Sequence, residues 1–163
     1  MENNIVKIRI DSRLIHGQVA LSWCNILPIT RIMVIDDEII NDSFQMSLLK
    51  MACPQGIKLS ILKPEDAAIN LISGKYLTDK IFIIVKRPEM LLQLWNFGVH
   101  MKEINVGNMS GDHETILIKK DVCVTKEHVR IFKDLSSKRV KITAQTVPSD
   151  LEVNLMSLIE KIK

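Results

Sequence analysis

One short segment near the N-terminus concentrates side chains that can handle phosphate. It runs Arg-Ile-Asp-Ser-Arg-Leu-Ile-His-Gly over residues 9–17, so that Arg9, Asp11 and Arg13 precede His16. Gly17 opens a predicted helix, and the free amides and dipole of a helix N-terminus favour an anion. Arginine matches phosphate oxygens with paired hydrogen bonds, and imidazole is a nucleophile that can accept a phosphoryl group. The pattern leaves two interpretations open: a histidine that carries a phosphoryl group, or a helix-capping histidine on a solvated loop.

The elements that must position this segment alternate along the chain. Strands are predicted at residues 5–10, 31–35, 57–62, 80–85, 102–106 and 140–145. Helices are predicted at 17–27, 43–52, 64–74, 88–98 and 125–135, with a last helix after a capping box at residues 149–152. The order predicts an α/β fold, an open and mostly parallel sheet flanked by helices on both faces, with an antiparallel edge strand. The less regular residues 108–124 could supply that edge strand. We expect the whole chain, residues 1–163, to form a single domain.

Open α/β sheets bind ligands outside the carboxyl ends of their strands. Asp37 follows the second strand and is predicted to line the rim of the phosphate pocket or to cap its loop. A receiver-type metal site at Asp36 and Asp37 is the alternative, but the strand order does not place a further aspartate and a lysine beside them. Gly107 is predicted to form a tight turn near the pocket. The remaining pocket candidates are Gly17, Gln18 and Asn108.

Residues 9–19 closely resemble the phosphorylation loop of a transport family, the enzyme IIB components of the mannose/fructose/sorbose family of the sugar phosphotransferase system, including its N-acetylgalactosamine members. The likeness covers almost the whole chain. Further matching segments are residues 36–38, 41–52, 56–59, 105–109 and 145–148.

The resemblance implies that His16 is the phosphorylated residue, through its Nδ1 atom. Its donor would be a phosphohistidine on enzyme IIA, and its acceptor a sugar entering through the membrane enzymes IIC and IID. The resemblance places Arg13 and Arg9 near the phosphate and makes Asp11 the acid that orients an arginine or the imidazole. The chain would then be a component of a protein-Nπ-phosphohistidine–sugar phosphotransferase. We expect a cytoplasmic protein held at the membrane by its partners, with a homodimer as one oligomeric state.

Composition and charge exclude several other classes. Of 163 residues, 47% are hydrophobic and 25% charged, which is typical of a globular domain rather than a disordered or collagen-like chain. The net charge of +3 is mild, and the aromatic residues do not interleave with a basic patch, so nucleic-acid binding is unsupported. No apolar run approaches the roughly 20 residues of a membrane span, and no signal peptide is visible.

Cofactor and metal sites are not indicated either. The three cysteines are far apart and form no metal-binding cluster. No glycine-rich phosphate loop is present, which argues against a nucleotide-binding domain. We therefore expect no metal and no cofactor. A regulatory or anion-binding homologue that does not transfer phosphate is the second hypothesis for function.

Overall fold

The structure, a computed structural model, describes residues 4–162, with the side chains of Gln18 and Val19 outside that description. The strands are β1 (Ile5–Asp11), β2 (Arg31–Ile35), β3 (Lys58–Leu62), β4 (Ile81–Val85), β5 (Glu103–Asn108), β6 (Ile116–Lys119), β7 (Val122–Val124), β8 (Lys141–Ala144) and β9 (Val153–Asn154). The α-helices are α1 (Gly17–Ile26), α2 (Ser43–Ala52), α3 (Pro64–Ile72), α4 (Pro88–Asn96), α5 (Lys126–Ser137) and α6 (Leu155–Ile159).

The main sheet confirms the predicted α/β class. Its strand order is β3-β2-β4-β1-β5-β8-β9, and every neighbouring pair is parallel except the last. β8 and β9 are antiparallel and pair through Thr143 with Asn154 and Ala144 with Val153. The irregular segment instead forms a separate antiparallel pair, β6 with β7. The antiparallel edge therefore exists, but it comes from a part of the chain where the sequence predicted a helix.

Helices cover both faces of the sheet, as the burial pattern of β4 shows. Every β4 residue is buried, as expected for a central parallel strand. Phe82 and Ile84 join a core cluster that contains residues of α1 and α2. Ile81, Ile83 and Val85 join the other cluster, with residues of α3, α4, α5 and α6. Because side chains alternate along a strand, β4 contributes apolar side chains to the cores on both faces of the sheet.

The C-terminal segment corrects the predicted last helix. Residues 153–154 form β9, and α6 begins only at Leu155, where the Asn154 side chain accepts a hydrogen bond from the amide of Met156. Leu151, which lies within the predicted capping box, is exposed. The predicted capping box satisfied a local rule, but strand pairing along the open edge of β8 stabilises the extended form of this segment. Within the described range 4–162, no helix has the length and apolar character to cross a membrane.

Candidate functional site

The loop between β1 and α1 is held by a backbone turn and by two buried side chains, although it contains an unusual backbone conformation. The amide of Leu14 donates to the carbonyl of Asp11 at 2.9 Å, which closes a turn directly after β1. Leu14 has a φ of 59°, in the left-handed region that side chains with a Cβ seldom adopt. The side chains of Leu14 and Ile15 are buried in the core cluster with α1 and α2. Burial of these two side chains offsets the backbone strain, and His16 emerges at a fixed place before α1.

Asp11 is the hub of the site. Its Oδ2 accepts hydrogen bonds from Arg9 Nη2 at 3.1 Å and from His16 Nε2 at 3.1 Å. Its Oδ1 accepts from the backbone amide of Arg13 at 3.0 Å and from Arg13 Nε at 3.3 Å. The exposed fractions are 1% for Asp11, 2% for Arg9, 21% for His16 and 45% for Arg13. One buried carboxylate therefore orients both arginines and the imidazole.

Arg9 is committed to contacts within the protein. Its Nη1 donates to Asn105 Oδ1 at 2.7 Å and to the carbonyl of Gln145 at 3.0 Å. Its Nη2 donates to the carbonyl of Thr146 at 2.9 Å as well as to Asp11, and its Nε lies 3.4 Å from Asp11 Oδ2. Burial lowers the pKa of Arg9, and the Asp11 carboxylate opposes that shift. Because each of the five N–H groups of the guanidinium has an acceptor among the described residues, Arg9 is arranged to position Asp11.

His16 is oriented so that its two ring nitrogens differ. Since Nε2 faces the Asp11 carboxylate, the favoured neutral tautomer carries its proton on Nε2 and an electron pair on Nδ1. His16 is the N-cap of α1, with an extended backbone, and its side chain makes no capping hydrogen bond. Gly17, the first residue of the helix, is adjacent and exposed. An anion on Nδ1 would meet the positive end of α1 and the exposed Arg13 guanidinium.

The loop after β5 is tied to the histidine loop through Ser12. The amide of Ser12 donates to the carbonyl of Asn108 at 3.1 Å, and the amide of Ser110 donates to Ser12 Oγ at 2.9 Å. The pocket candidate Asn108 thus lies beside the histidine loop and contacts it through its backbone.

Gly107 does not form the predicted tight turn. It lies inside β5, at a bulge, because Ile10 pairs with Val106 while Asp11 pairs with Asn108. A Cβ atom built on Gly107 would lie 1.9 Å from Arg9 Cζ. The absence of a side chain here makes room for the guanidinium, so the glycine serves the packing of Arg9 rather than a turn.

Asp37 belongs to an ion-pair cluster at the end of β2 and β4. Its Oδ1 accepts from Arg87 Nη2 at 2.6 Å, and Glu38 accepts from the same atom at 3.2 Å. Burial lowers the pKa of Arg87, but the Asp37 and Glu38 carboxylates outweigh burial and raise this pKa above its ordinary value. Asp36, rather than Asp37, caps the loop, since its Oδ1 accepts from the amides of Glu38 and Ile39 at 2.8 and 2.9 Å. The described contacts join Asp37 to Arg87 and not to His16. The side chain of the other pocket candidate, Gln18, lies outside the described residues.

Two residues of the site were not recognised from sequence. Asn105, a polar residue between apolar neighbours in β5, is buried and holds Arg9. Trp23 of α1 packs in the core, and its Nε1 donates to the carbonyl of Thr146 at 3.1 Å, the same oxygen that Arg9 binds. A lone asparagine in an apolar strand was the available signal for the first. Over residues 4–162, no group of three or more histidine, cysteine or acidic side chains is placed to hold a metal ion.

Comparisons with known proteins agree with one another. The family model described as PTS system sorbose subfamily IIB component matches residues 5–163. The chain is 33% identical to the N-acetylgalactosamine-specific phosphotransferase enzyme IIB component 2 of Escherichia coli over 156 residues, which is 96% of this chain and 99% of that protein. It is 29% identical over 154 residues to the E. coli mannose-specific EIIAB component, covering 94% of this chain but 48% of that longer protein.

A solved structure is similar over the same length. The crystal structure of the IIBSor domain of the sorbose permease from Klebsiella pneumoniae has a TM-score of 0.94 at 29% identity, covering 98% of each chain. The fold, the matched length and the family model coincide. The chain therefore belongs to the sorbose subfamily of IIB components of the PTS, the sugar phosphotransferase system.

Proposed function

We propose that this chain is a phosphoryl carrier that works through His16. Nδ1 of His16 accepts a phosphoryl group from a phosphohistidine on enzyme IIA and donates it to a sugar brought by the membrane components IIC and IID. The observation that carries the proposal is the hydrogen bond from His16 Nε2 to the buried Asp11, which leaves Nδ1 as the nucleophilic atom. Membership of a family of phosphotransferase components supports it. The fused EIIAB relative supports a IIA domain as the donor, because its name joins both components in one chain.

The transfer balances without a metal or cofactor. The electron pair of Nδ1 forms a bond to phosphorus as the bond from phosphorus to the donor imidazole breaks, and that pair returns to the donor ring. His16 keeps the Nε2 proton, so its ring becomes cationic, and the Asp11 carboxylate lies 3.1 Å from that nitrogen to stabilise it. In the second step a sugar hydroxyl oxygen attacks phosphorus, the hydroxyl proton passes to water, and the electron pair of the N–P bond returns to Nδ1. Because the phosphorylated ring is cationic, it departs from phosphorus as a neutral imidazole. A neutral imidazole is a good leaving group, which suits a carrier.

The phosphate charge needs partners that do not hold it too tightly. A phosphohistidine adds nearly two negative charges at neutral pH. The Arg13 guanidinium is nearly half exposed and is held to the site by its Nε, so its outer N–H groups can approach phosphate oxygens. The first turn of α1 adds partial positive charge directly beside His16. We therefore assign Arg13 and the start of α1 to charge neutralisation, and Arg9 to support of Asp11.

Mass spectrometry of the phosphorylated chain tests the proposal. The chain is incubated with the general phosphocarrier proteins of the system and an enzyme IIA, and the modified residue is mapped at high pH, because phosphohistidine is acid-labile and base-stable. We expect one phosphoryl group on His16. His16→Ala should remove it, while the matched control His113→Ala, at an exposed histidine, should not.

Two outcomes would contradict the proposal. Undiminished labelling of folded His16→Ala would show that another residue carries the phosphoryl group. Absence of labelling on the folded wild type, with two different active IIA donors, would favour the regulatory or anion-binding alternative. Transfer on to sugar is then measured with membranes that contain the IIC and IID components, and it should require His16.

A further inference from the structure

We propose that Asn105 and Gly107 of β5 are positioning residues for His16, and that they act through Arg9 and Asp11. The inference rests on the proposed function for its kinetic consequence, but its geometry stands independently of it. Neither residue touches the imidazole in the structure. Their effect passes along one chain of contacts, from β5 to Arg9, from Arg9 to Asp11 and from Asp11 to His16 Nε2.

Asn105 fixes the outer end of the Arg9 guanidinium. Its Oδ1 accepts from Arg9 Nη1 at 2.7 Å, the shortest of the Arg9 hydrogen bonds, and its Nδ2 donates to the carbonyl of Gln145 at 3.2 Å. Asn105 and Arg9 are both buried. A hydrophobic replacement would leave a buried N–H donor of Arg9 with one acceptor fewer, and unpaired buried donors are strongly disfavoured. The amide therefore selects one position of the guanidinium.

Gly107 supplies the space in which that position exists. The nearest atoms to a Cβ built on Gly107 all belong to Arg9, at 1.9 Å for Cζ, 1.9 Å for Nη2 and 2.3 Å for Nη1. Gly107 is not among the glycines with positive φ, so its backbone conformation accepts an alanine. The steric effect of a methyl group would consequently fall on the guanidinium. Arg9 cannot move aside easily, because it is buried and each of its N–H groups is paired.

Displacement of Arg9 reaches His16 through a shared oxygen. Oδ2 of Asp11 accepts from Arg9 Nη2 and from His16 Nε2, both at 3.1 Å. If the guanidinium moves, the carboxylate loses its buried counter-ion and follows it or turns toward Arg13. In either case Nε2 of His16 loses its acceptor, and the tautomer that exposes the Nδ1 electron pair is no longer favoured. A misplacement of about 1 Å at a reacting group can slow a reaction about 10²-fold.

A double-mutant cycle tests the route of the effect. The variants are Gly107→Ala, Arg9→Ala and the combination of both, compared by the rate of phosphoryl transfer at saturating donor. We expect Gly107→Ala to slow transfer by about 10²-fold. We expect the combined variant to be no slower than Arg9→Ala, because the methyl group then enters the space that the guanidinium has vacated. Full additivity of the two losses, or an unchanged rate for Gly107→Ala, would overturn the proposal.

Asn105 variants give a second, milder perturbation. Asn105→Ala should lower the transfer rate. Asn105→Asp keeps an acceptor for Arg9 Nη1 but sets its second oxygen against the Gln145 carbonyl, where Nδ2 donated, so it should recover only part of the rate. Asn96→Ala, at an exposed asparagine of α4, is the matched control and should have no effect. Equal rates for Asn105→Ala and the wild type would contradict the proposed role of Asn105.

The nitrogen chemical shifts of the His16 imidazole separate positioning from general loss of structure. In the wild type we expect the neutral ring to carry its proton on Nε2, and in folded Gly107→Ala we expect a mixture of tautomers. Unchanged shifts in Gly107→Ala would overturn the positioning role. This readout needs no phosphoryl transfer, so a wild type that shows the expected tautomer but accepts no phosphate would refute the proposed function and leave the positioning role standing.

Discussion

Replacement of Asp11 by asparagine removes one charge and keeps the shape of the side chain. The carboxylate accepts through both oxygens, Oδ2 from Arg9 and His16 and Oδ1 from Arg13. An amide has only one oxygen, so either orientation turns its NH₂ group toward N–H donors. If the amide oxygen faces Arg9, the NH₂ faces Arg13. If it faces Arg13, the NH₂ meets both Arg9 and Nε2 of His16.

The stability loss follows from the burial of the ion pair. Asp11 and Arg9 are 1% and 2% exposed, so Asp11→Asn leaves a buried guanidinium without its carboxylate. Loss of one member of such a pair costs roughly 3–5 kcal/mol. For a chain of this size each kcal/mol lowers the melting temperature by roughly 2–4 °C, which predicts a decrease of roughly 6–20 °C. The native state should still form, since domains have roughly 5–15 kcal/mol of stability.

The transfer rate should fall by more than the stability loss explains. A folded Asp11→Asn protein no longer fixes the His16 tautomer or stabilises a cationic ring. Replacement of the carboxylate beside a catalytic histidine can lower turnover by about 10⁴-fold, and because the amide oxygen can still accept from Nε2 in one orientation, we expect a loss of about 10²–10⁴-fold.

Thermal unfolding and single-turnover phosphorylation of the same samples measure the two effects. The matched control is Asp42→Asn, at the exposed N-cap of α2, where asparagine caps as well as aspartate, so both quantities should stay near wild type. A lowered melting temperature with a wild-type rate would make Asp11 purely structural. Wild-type values of both would refute the assignment of Asp11 as the hub.

Three further predictions concern other groups. Arg13→Ala should leave the melting temperature nearly unchanged and slow phosphorylation by about 10²-fold, and an unchanged rate would show that Arg13 does not neutralise the phosphate. The hydrogen bond from Arg31 holds the pKa of buried Asp79 below its ordinary value. Ionised Asp79 therefore stabilises the fold at pH values above about 4, the pKa of an aspartate in the unfolded chain. This stabilisation is lost as the pH falls through the lower pKa that Asp79 has in the folded protein. Asp79→Asn should therefore lower the free energy of unfolding at pH 7, and its difference from the wild type should shrink below about pH 4. A pH-independent difference would argue against this ion pair. Burial raises the pKa of the Cys24 thiol to about 11, so alkylation at pH 8 should be about 10²-fold slower in the folded than in the unfolded protein, and equal rates would contradict it.

Local rules predicted most elements of the fold, and they failed where a local signal competed with a neighbouring strand edge. The apolar run of β4 was correctly predicted as a strand, and α2 has the predicted bounds, with Asp42 as its cap accepting from the amide of Gln45. The capping box before the last helix was a valid local pattern, yet residues 153–154 pair with β8 instead. A neighbouring strand edge is not visible in a short window of sequence, so periodicity and capping could not reveal that competition.

The candidate site shows the same division between local and distant information. Its central residues lie within a few positions of one another, and the structure brings Asp11 into contact with Arg13 and with His16, a contact that the family resemblance implied. The surroundings of Arg9 could not be predicted in this way, because its partners Asn105 and Gln145 are 96 and 136 positions away in the sequence. Which way a buried side chain points depends on the strands that assemble beside it.

Burial divides the work between the two arginines of one loop. Arg9 is enclosed, with its donors used on Asn105, two carbonyls and Asp11, so it holds a carboxylate that would otherwise be costly to bury. Arg13 is exposed and tethered to the same carboxylate only through Nε and its backbone amide. A carrier must bind its phosphoryl group firmly enough to accept it and loosely enough to release it. Under the proposed function, the buried Arg9 keeps the nucleophile oriented, and the exposed Arg13 adds charge without a closed cage, so the loop could serve both a donor and an acceptor.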